Sequence, residues 1–166
     1  MPLGEPLVIK VKFLVSILAL VLFGVGLFFY MGRKSRSIGP QGTGIVDGKL
    51  RPCPDKPNCL SSSDTGSHFA EPIVLESLRE AVREQLLGFL AQLPGATVVE
   101  SEDGYLRVEV VSTLFKFVDD FELLLTPLGE IGTLVQIRSA SRVGHSDMGV
   151  NPERVRALRE YLEKFN

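Results

Sequence analysis

Residues that commonly hold metals are scarce in this 166-residue chain, which has two cysteines and two histidines. The histidines, His68 and His145, could join the cysteines only through long-range folding, because no two of these residues show the short spacing of structural zinc sites. The chain also lacks the Gly-x-Ser-x-Gly turn that exposes a nucleophilic serine. We therefore predict no metal and no cofactor, and no known motif identifies a catalytic residue.

Basic charge is also scarce beyond the start of the chain. The first 36 residues hold five basic residues and one acidic residue, a net charge of +4, whereas the remaining 130 hold 13 basic and 19 acidic residues, a net charge of −6. A nucleic-acid-binding face needs an excess of lysine and arginine to contact phosphates. The acidic remainder of the chain therefore argues against nucleic acid as a partner. Its 130 residues have the size of one domain.

The longest apolar run, residues 13–31, contains no charged residue. A helix of this length, at about 1.5 Å per residue, spans about 28 Å, which matches a hydrocarbon core. A cleaved signal peptide is the alternative, but its apolar run is usually shorter and ends in small residues rather than aromatic ones. We predict one transmembrane helix at 13–31, a basic segment at 1–12 before it and a juxtamembrane linker at 32–50 after it.

Cys53 and Cys59 lie in a proline-rich segment, RPCPDKPNCLSSS at residues 51–63. Prolines restrict the chain and favour a tight loop that a disulfide can close. A redox-active pair more often has the spacing Cys-x-x-Cys at a helix start, so redox and zinc roles are the weaker alternatives. The flanking charges do not decide how the apolar run is oriented. Because disulfides persist in oxidising compartments, the cysteines favour a periplasmic or otherwise extracytoplasmic domain.

Residues 51–166 predict an α+β domain in the order helix, four strands, helix. An amphipathic pattern predicts the first helix at 75–93, and Asn151-Pro152-Glu153 is typical of the start of the last helix. The dipeptide Asp103-Gly104 suits a tight turn between the first two strands. We expect a four-stranded antiparallel sheet covered on one face by the two helices. The predicted strands are residues 96–101, 105–113, 117–126 and 131–140.

The register of the last two strands determines which carboxylate meets Arg138. A three-residue loop places Asp120 opposite this arginine, and a two-residue loop places Asp119 there. Either pair can be an ordinary cross-strand salt bridge or part of a buried network that supports a site. Since successive residues of a strand point to opposite faces, Asp119 and Asp120 cannot by themselves form an acid/base pair.

The densest polar cluster lies at the end of the fourth strand and in the glycine-containing loop after it. Arginine forks, hydroxyl groups and a helix N-terminus together suit an anionic group such as a carboxylate or phosphate. Alternatively, the same residues only cap the helix and hold the loop by hydrogen bonds. A Ser-His-Asp triad within 141–147 is not expected, because residues so close in sequence do not reach the geometry of a catalytic triad. The candidate binding or structural residues are Asp119, Asp120, Arg138, Ser139, Ser141, Arg142, Ser146, Asp147 and Asn151.

Three segments resemble the family known as domain of unknown function 1499. They are CPDKPNCLSSS at 53–63, FKFVDDFELLL at 115–125 and IRSASRVGHSDMGVNPERV at 137–155. The resemblance implies a small α+β domain found in bacteria and photosynthetic lineages, often behind a membrane or export segment, with no established activity. It assigns no role to the residues of these motifs.

These observations predict a membrane-anchored, extracytoplasmic, non-enzymatic domain. It would bind an unknown partner protein or an anionic or lipid ligand near the bilayer, through residues 138–151 beside the 53–59 loop. The alternative is an envelope enzyme, hydrolytic or thiol-redox, that uses aspartate and arginine residues or the cysteines in a cleft. A purely structural spacer is a third interpretation, and it predicts neither a pocket nor a ligand.

Overall fold

The computed structural model describes residues 5–102 and 104–165 of the chain. A 33-residue helix, α1 (Glu5–Ser37), comes first and contains the apolar run. By length and composition α1 is able to cross a membrane, a property that anchors and signal sequences share. Residues 1–4 of the predicted basic segment lie outside the described part, and residues 5–12 form the first turns of α1.

An α+β domain with a main antiparallel sheet follows α1. Its strands are β1 (Ile45–Val46), β2 (Lys49–Leu50), β3 (Cys59–Ser61), β4 (Ile73–Leu75), β5 (Ala96–Glu102), β6 (Tyr105–Val111), β7 (Val118–Leu128) and β8 (Gly132–Ser141). Its helices are α2 (Arg79–Gln92) and α3 (Val150–Leu162), with short 3-10 segments at Gly66–His68 and Glu163–Phe165. The main sheet has the order β3-β8-β7-β6-β5, and β4 also pairs with β8, whereas β1 and β2 form a separate hairpin.

The prediction of four strands is wrong, because the main sheet has six. The two additional strands, β3 and β4, have three residues each, too few for an alternating pattern to be recognised. Leu75 ends β4, although the apolar spacing had placed it in the first helix, and α2 begins only at Arg79. The predicted order therefore also changes, since β3 and β4 precede α2.

The third and fourth predicted strands, β7 and β8, pair in a register that differs from both predictions. Leu128 faces Gly132 across a three-residue loop, and Glu122 rather than an aspartate faces Arg138. The difference arises because β7 continues through Pro127, where a strand end was expected. Beyond Leu125 this strand has only β8 as a partner, so a residue without an N–H group is tolerated there.

In the first hairpin, pairing Glu102 with Tyr105 also predicts Glu100 opposite Arg107 and Val99 opposite Val108. The first two pairs are present, but a register shift between Val98 and Glu100 places Val98 opposite Val108. Asp103 lies outside the described residues, and Gly104 has a φ of 77°, which glycine adopts without the steric cost that other residues meet.

The two faces of the sheet are covered by different parts of the chain. Apolar side chains of α2 and α3 pack on one face and form the main core with the inward residues of β6, β7 and β8. On the other face, Leu50 of β2 is buried against Tyr105 and Leu124. The segment after α1, residues 38–50, therefore covers this second face, which also carries charged residues.

The end of α1 is fixed to the loop between β6 and β7. The Ser35 hydroxyl donates to the Val118 carbonyl at 3.3 Å and accepts from the Val118 N–H at 2.9 Å. Gly32 lies directly against the Phe115 carbonyl group, and the Phe115 ring centroid is 4.9 Å from that of Phe28. These contacts make the end of the apolar helix part of the folded domain.

Replacing Gly32 with alanine should loosen this contact, because the added Cβ would overlap the Phe115 carbonyl oxygen. The Val118 amide, which donates to Ser35, should then exchange with solvent at least roughly tenfold faster, since two hydrogen bonds of about 1 kcal/mol each are weakened. The measurement is amide hydrogen exchange on the full chain in detergent micelles. Gly24→Ala is the matched control, because nothing lies within 4 Å of the position of its Cβ. Equal exchange in the two variants would contradict the contact.

Candidate functional site

A buried ion pair lies at the centre of the sheet face that the segment after α1 covers. Arg138 of β8 donates to Glu122 of β7 at 2.7 Å, and the two side chains are 1% and 0% exposed. The same carboxylate accepts hydrogen bonds of 2.7 Å from the Tyr105 hydroxyl and from the Gly44 N–H. Burial, together with the bond to Glu122, raises the pKa of Tyr105, so the phenol stays protonated and acts as a donor.

A second arginine, Arg142, extends this network at the end of β8. Its Nε and Nη2 atoms donate to both oxygens of Asp120 at 2.8 Å, and Nη2 also reaches Glu109 at 2.5 Å. Its Nη1 atom donates to the Ile38 carbonyl at 3.3 Å, just beyond α1. The hydrogen bond to Asp120 raises the pKa of Arg142, which therefore remains a cation. Strand β8 and the end of α1 are thus joined by one side chain.

A separate polar network lies on the opposite, helix-covered face. Arg154 of α3 donates to Asp119 at 2.7 Å and to Ser139 at 2.7 Å. Asn151 accepts from Ser139 at 2.7 Å and donates to the Asn58 carbonyl at 3.0 Å. These bonds hold the first turns of α3 against the sheet and against residues 51–63, the cysteine segment.

The loop before α3 caps the helix by hydrogen bonds. The Asp147 carboxylate accepts from the N–H groups of Gly149 and Asn151 at 3.0 Å, and the Ser146 hydroxyl accepts from Met148 at 3.2 Å. The helix begins at Val150, after Gly149, so Asn151 lies inside its first turn rather than at the expected cap position.

The candidate residues therefore do not form one cluster. The alternating directions of strand residues separate them between two faces, as the opposite orientation of the two aspartates requires. Asp119, Ser139, Ser141 and Asn151 lie on the helix-covered face; Asp120, Arg138 and Arg142 lie on the other face; Ser146 and Asp147 lie in the loop before α3.

The predicted disulfide between Cys53 and Cys59 is present, with 5.7 Å between the two Cα atoms. The cysteine segment is held to the end of β8 by Asn58, whose side chain donates to the Gly144 carbonyl at 2.9 Å. The Asn58 carbonyl in turn accepts from the Ser141 N–H at 3.0 Å. Within residues 5–102 and 104–165, no three His, Cys, Asp or Glu side chains are placed to hold a metal ion.

A cavity of about 430 Å³ lies between the cysteine segment, the end of β8 and the segment after α1. Four basic side chains line it, and no acidic residue of the described chain does. Two of them, Arg138 and Arg142, are paired with carboxylates, whereas the exposed Arg51 and Lys56 form no ion pair with any described residue. The remaining lining residues are Gln41, Gly42, Pro52, Cys53, Pro54, Asn58, Ala140, Ser141, Val143 and Gly144.

The Arg138 guanidinium keeps a buried donor that Glu122 does not satisfy. Its Nε atom is buried and has no hydrogen-bond partner among the described residues. A buried N–H group without a partner costs about 1 to 3 kcal/mol, more when it is charged.

Sequence reasoning missed several residues of these networks. Glu122 was overlooked because its partner depends on the register, and Arg154 because the apolar pattern of α3 directed attention to its neighbours. Its position, three residues after Asn151, would have placed both on one face of the helix. Arg51 and Lys56 lie in a loop, where no periodicity shows which side chains share a surface.

The chain is similar to a protein family and to a solved structure. A family model described as "Protein of unknown function (DUF1499)" matches residues 49–162, from β2 to the end of α3. None of the curated proteins matches the chain. The crystal structure of DR_A0006 from Deinococcus radiodurans has 14% sequence identity to it, with a match that covers 64% of this chain and 93% of that chain at a TM-score of 0.32.

Replacing Glu122 with alanine should destabilise the domain by about 3 to 5 kcal/mol, because Arg138 would remain buried without its carboxylate. Urea unfolding of the full chain in micelles, followed by circular dichroism, measures this loss. Glu153→Ala is the control, since the pair between Glu153 and Arg156 is exposed and should contribute little.

A double variant keeps this test informative if Glu122→Ala does not fold. Glu122→Leu combined with Arg138→Met removes both charges and should be more stable than Glu122→Ala, because no uncompensated charge is left inside. An unfolding midpoint of Glu122→Ala equal to that of Glu153→Ala would contradict the role of the buried pair.

Proposed function

We propose a function for this chain, which belongs to the DUF1499 family of proteins of unknown function. It is a membrane-anchored, extracytoplasmic, non-enzymatic domain that binds an anionic ligand. The observation that carries the proposal is the cavity lined by four basic side chains. The cysteine segment and the end of β8, two of the three segments that carry the family resemblance, both contribute to its wall.

The charge of the cavity favours a carboxylate or phosphate group. Arg51 and Lys56 are exposed and form no ion pair with a described residue, so their donors are open to an anion at the rim. Guanidinium groups bind carboxylate and phosphate through paired hydrogen bonds, which gives both strength and orientation.

Arg138 and Arg142 supply donors whose positions are already fixed. Glu122 holds Arg138 at 2.7 Å, and Asp120 holds Arg142 through two bonds of 2.8 Å. A ligand therefore meets oriented groups and loses less conformational entropy on binding than it would with free side chains.

The arrangement of the carboxylates favours binding over catalysis. Asp119 is bonded to Arg154 and Asp120 to Arg142, on opposite faces of the sheet. Neither is free to act as a general base, and a glycosidase-like pair of facing carboxylates needs both on one side of a cleft.

The location rests on α1 and on the disulfide. The length and apolar composition of α1 suit a membrane-spanning helix, and the aromatic end of its apolar run favours an anchor that is not cleaved. A disulfide between Cys53 and Cys59 supports an oxidising compartment, because reducing systems keep such thiols free in the cytosol.

Anion binding can be measured on the full chain in detergent micelles by titration with inorganic phosphate and with acetate at low ionic strength. We expect saturable binding of at least one of them, weakened roughly tenfold or more by Arg51→Ala or Lys56→Ala, because each removes a charge-assisted contact. Arg156→Ala removes an exposed charge from α3 and should change nothing. Absence of saturable binding, or equal weakening by all three variants, would refute the proposal.

The extracytoplasmic location can be checked by thiol labelling during lysis. When the full chain is extracted from its own membrane in the presence of a maleimide, we expect no label on Cys53 or Cys59. After denaturation with reductant the same protein should take up two labels, which serves as the internal control. Labelling of both cysteines before reduction would place the domain in a reducing compartment.

A further inference from the structure

The loop between β6 and β7, residues 112–117, presents apolar side chains that the rest of the domain leaves uncovered. Leu114 is 65% exposed, and the half-buried Phe115 and Phe117 have rings 6.3 Å apart. These rings also contact the Phe28 ring of α1, at centroid distances of 4.9 and 6.3 Å. The loop therefore adds its apolar side chains to the apolar surface of α1.

We propose that this loop inserts its apolar side chains into the membrane interface beside α1, as a second point of attachment for the domain. The inference rests on the membrane anchoring in the proposed function and goes beyond it. The occupant of this surface is the lipid bilayer itself, because the loop is continuous with a helix whose apolar side chains are exposed all along its length.

The depth of the loop relative to the bilayer follows from its contact with α1. Residues 13–31 centre on Leu22, and Gly32, which touches the Phe115 carbonyl, lies ten residues further along the helix. At about 1.5 Å per residue this is about 15 Å, half the thickness of a hydrocarbon core of about 30 Å. The loop backbone is thus at the edge of the hydrocarbon, and the Phe115 ring reaches back towards Phe28 inside it.

The chemistry of the loop suits this depth. Aromatic and basic side chains are favoured where acyl chains meet headgroups, and the exposed Lys116 lies between two phenylalanines. Backbone groups near lipid need internal partners. The Ser112 N–H donates to the Phe117 carbonyl at 2.9 Å, and the Phe117 N–H donates to the Ser112 hydroxyl at 2.9 Å. The Lys116 carbonyl accepts from Arg36 at 3.5 Å.

Two attachments would hold the domain at a fixed distance from the bilayer. Gln41, in the cavity wall, follows the last residue of α1 by four positions, so that part of the wall lies at most about 14 Å from the helix end. The basic cavity would then stand close to the headgroups.

The absence of tryptophan from the chain allows a direct test, because each single-tryptophan variant reports on one position. The full chain is reconstituted into phosphatidylcholine vesicles whose acyl chains carry bromine, which quenches tryptophan, at either a shallow or a deep carbon. The variants are Leu114→Trp in the loop, Leu22→Trp in α1 and Ile131→Trp between β7 and β8. The three positions are matched in exposure, at 65%, 62% and 66%.

We expect Leu114→Trp to emit at short wavelength and to be quenched more by shallow bromine than by deep bromine. Leu22→Trp should show the opposite preference, and Ile131→Trp, about 30 Å along β7 from the loop, should be quenched by neither. If Leu22→Trp is quenched while Leu114→Trp emits as in water, the loop insertion is refuted and the anchor stands. If Leu22→Trp is also unquenched, membrane anchoring itself fails, and the inference fails with it.

Discussion

The buried pair of Glu122 and Arg138 is the interaction on which this face of the sheet depends. Charges removed from water are costly unless partners compensate them, and Glu122 accepts hydrogen bonds from three donors. Arg138 comes from β8, Tyr105 from β6 and Gly44 from the segment after α1. One carboxylate therefore fixes three parts of the chain, and the segment that covers this face is held by the same group that orients the arginine in the cavity wall.

The same principle explains how a small acidic domain can build a basic cavity. Glu122 and Asp120 neutralise Arg138 and Arg142, so two guanidinium groups lie close together in the wall without repelling each other strongly. The basic groups without an ion pair are Arg51 and Lys56 at the rim, where water lowers the cost of their charge. Arg138 and Arg142 in the wall provide oriented guanidinium groups, and Arg51 and Lys56 at the rim provide positive charge. Both together favour the binding of a small anion.

The features that sequence predicted well depend on local patterns, and those it missed depend on distant pairing. The apolar helix, the antiparallel α+β class and the disulfide follow from an uninterrupted run, alternating residues and two cysteines in a proline-rich loop. Strands β3 and β4 are too short to show a pattern, and they exist because β8 is long enough to pair with both. The partner of Arg138 depended on β7 continuing through Pro127. Of the candidate site, Arg138 and Arg142 were found, whereas Arg154 and Arg51 were not. Grouping residues by closeness in sequence also combined two networks that the sheet separates.

The contacts of α1 make it more than a tether for the domain. Ser35 and Gly32 fix the helix end to the start of β7, and Arg142 joins the Ile38 carbonyl to Asp120. Arg142 is therefore shared between the cavity wall and the chain that leaves the helix. Displacing the helix end would break a bond of Arg142 and so weaken the contacts that fix this guanidinium in the cavity wall. The position of α1 and the occupancy of the cavity are for this reason expected to be coupled, with the reciprocity that any such linkage requires.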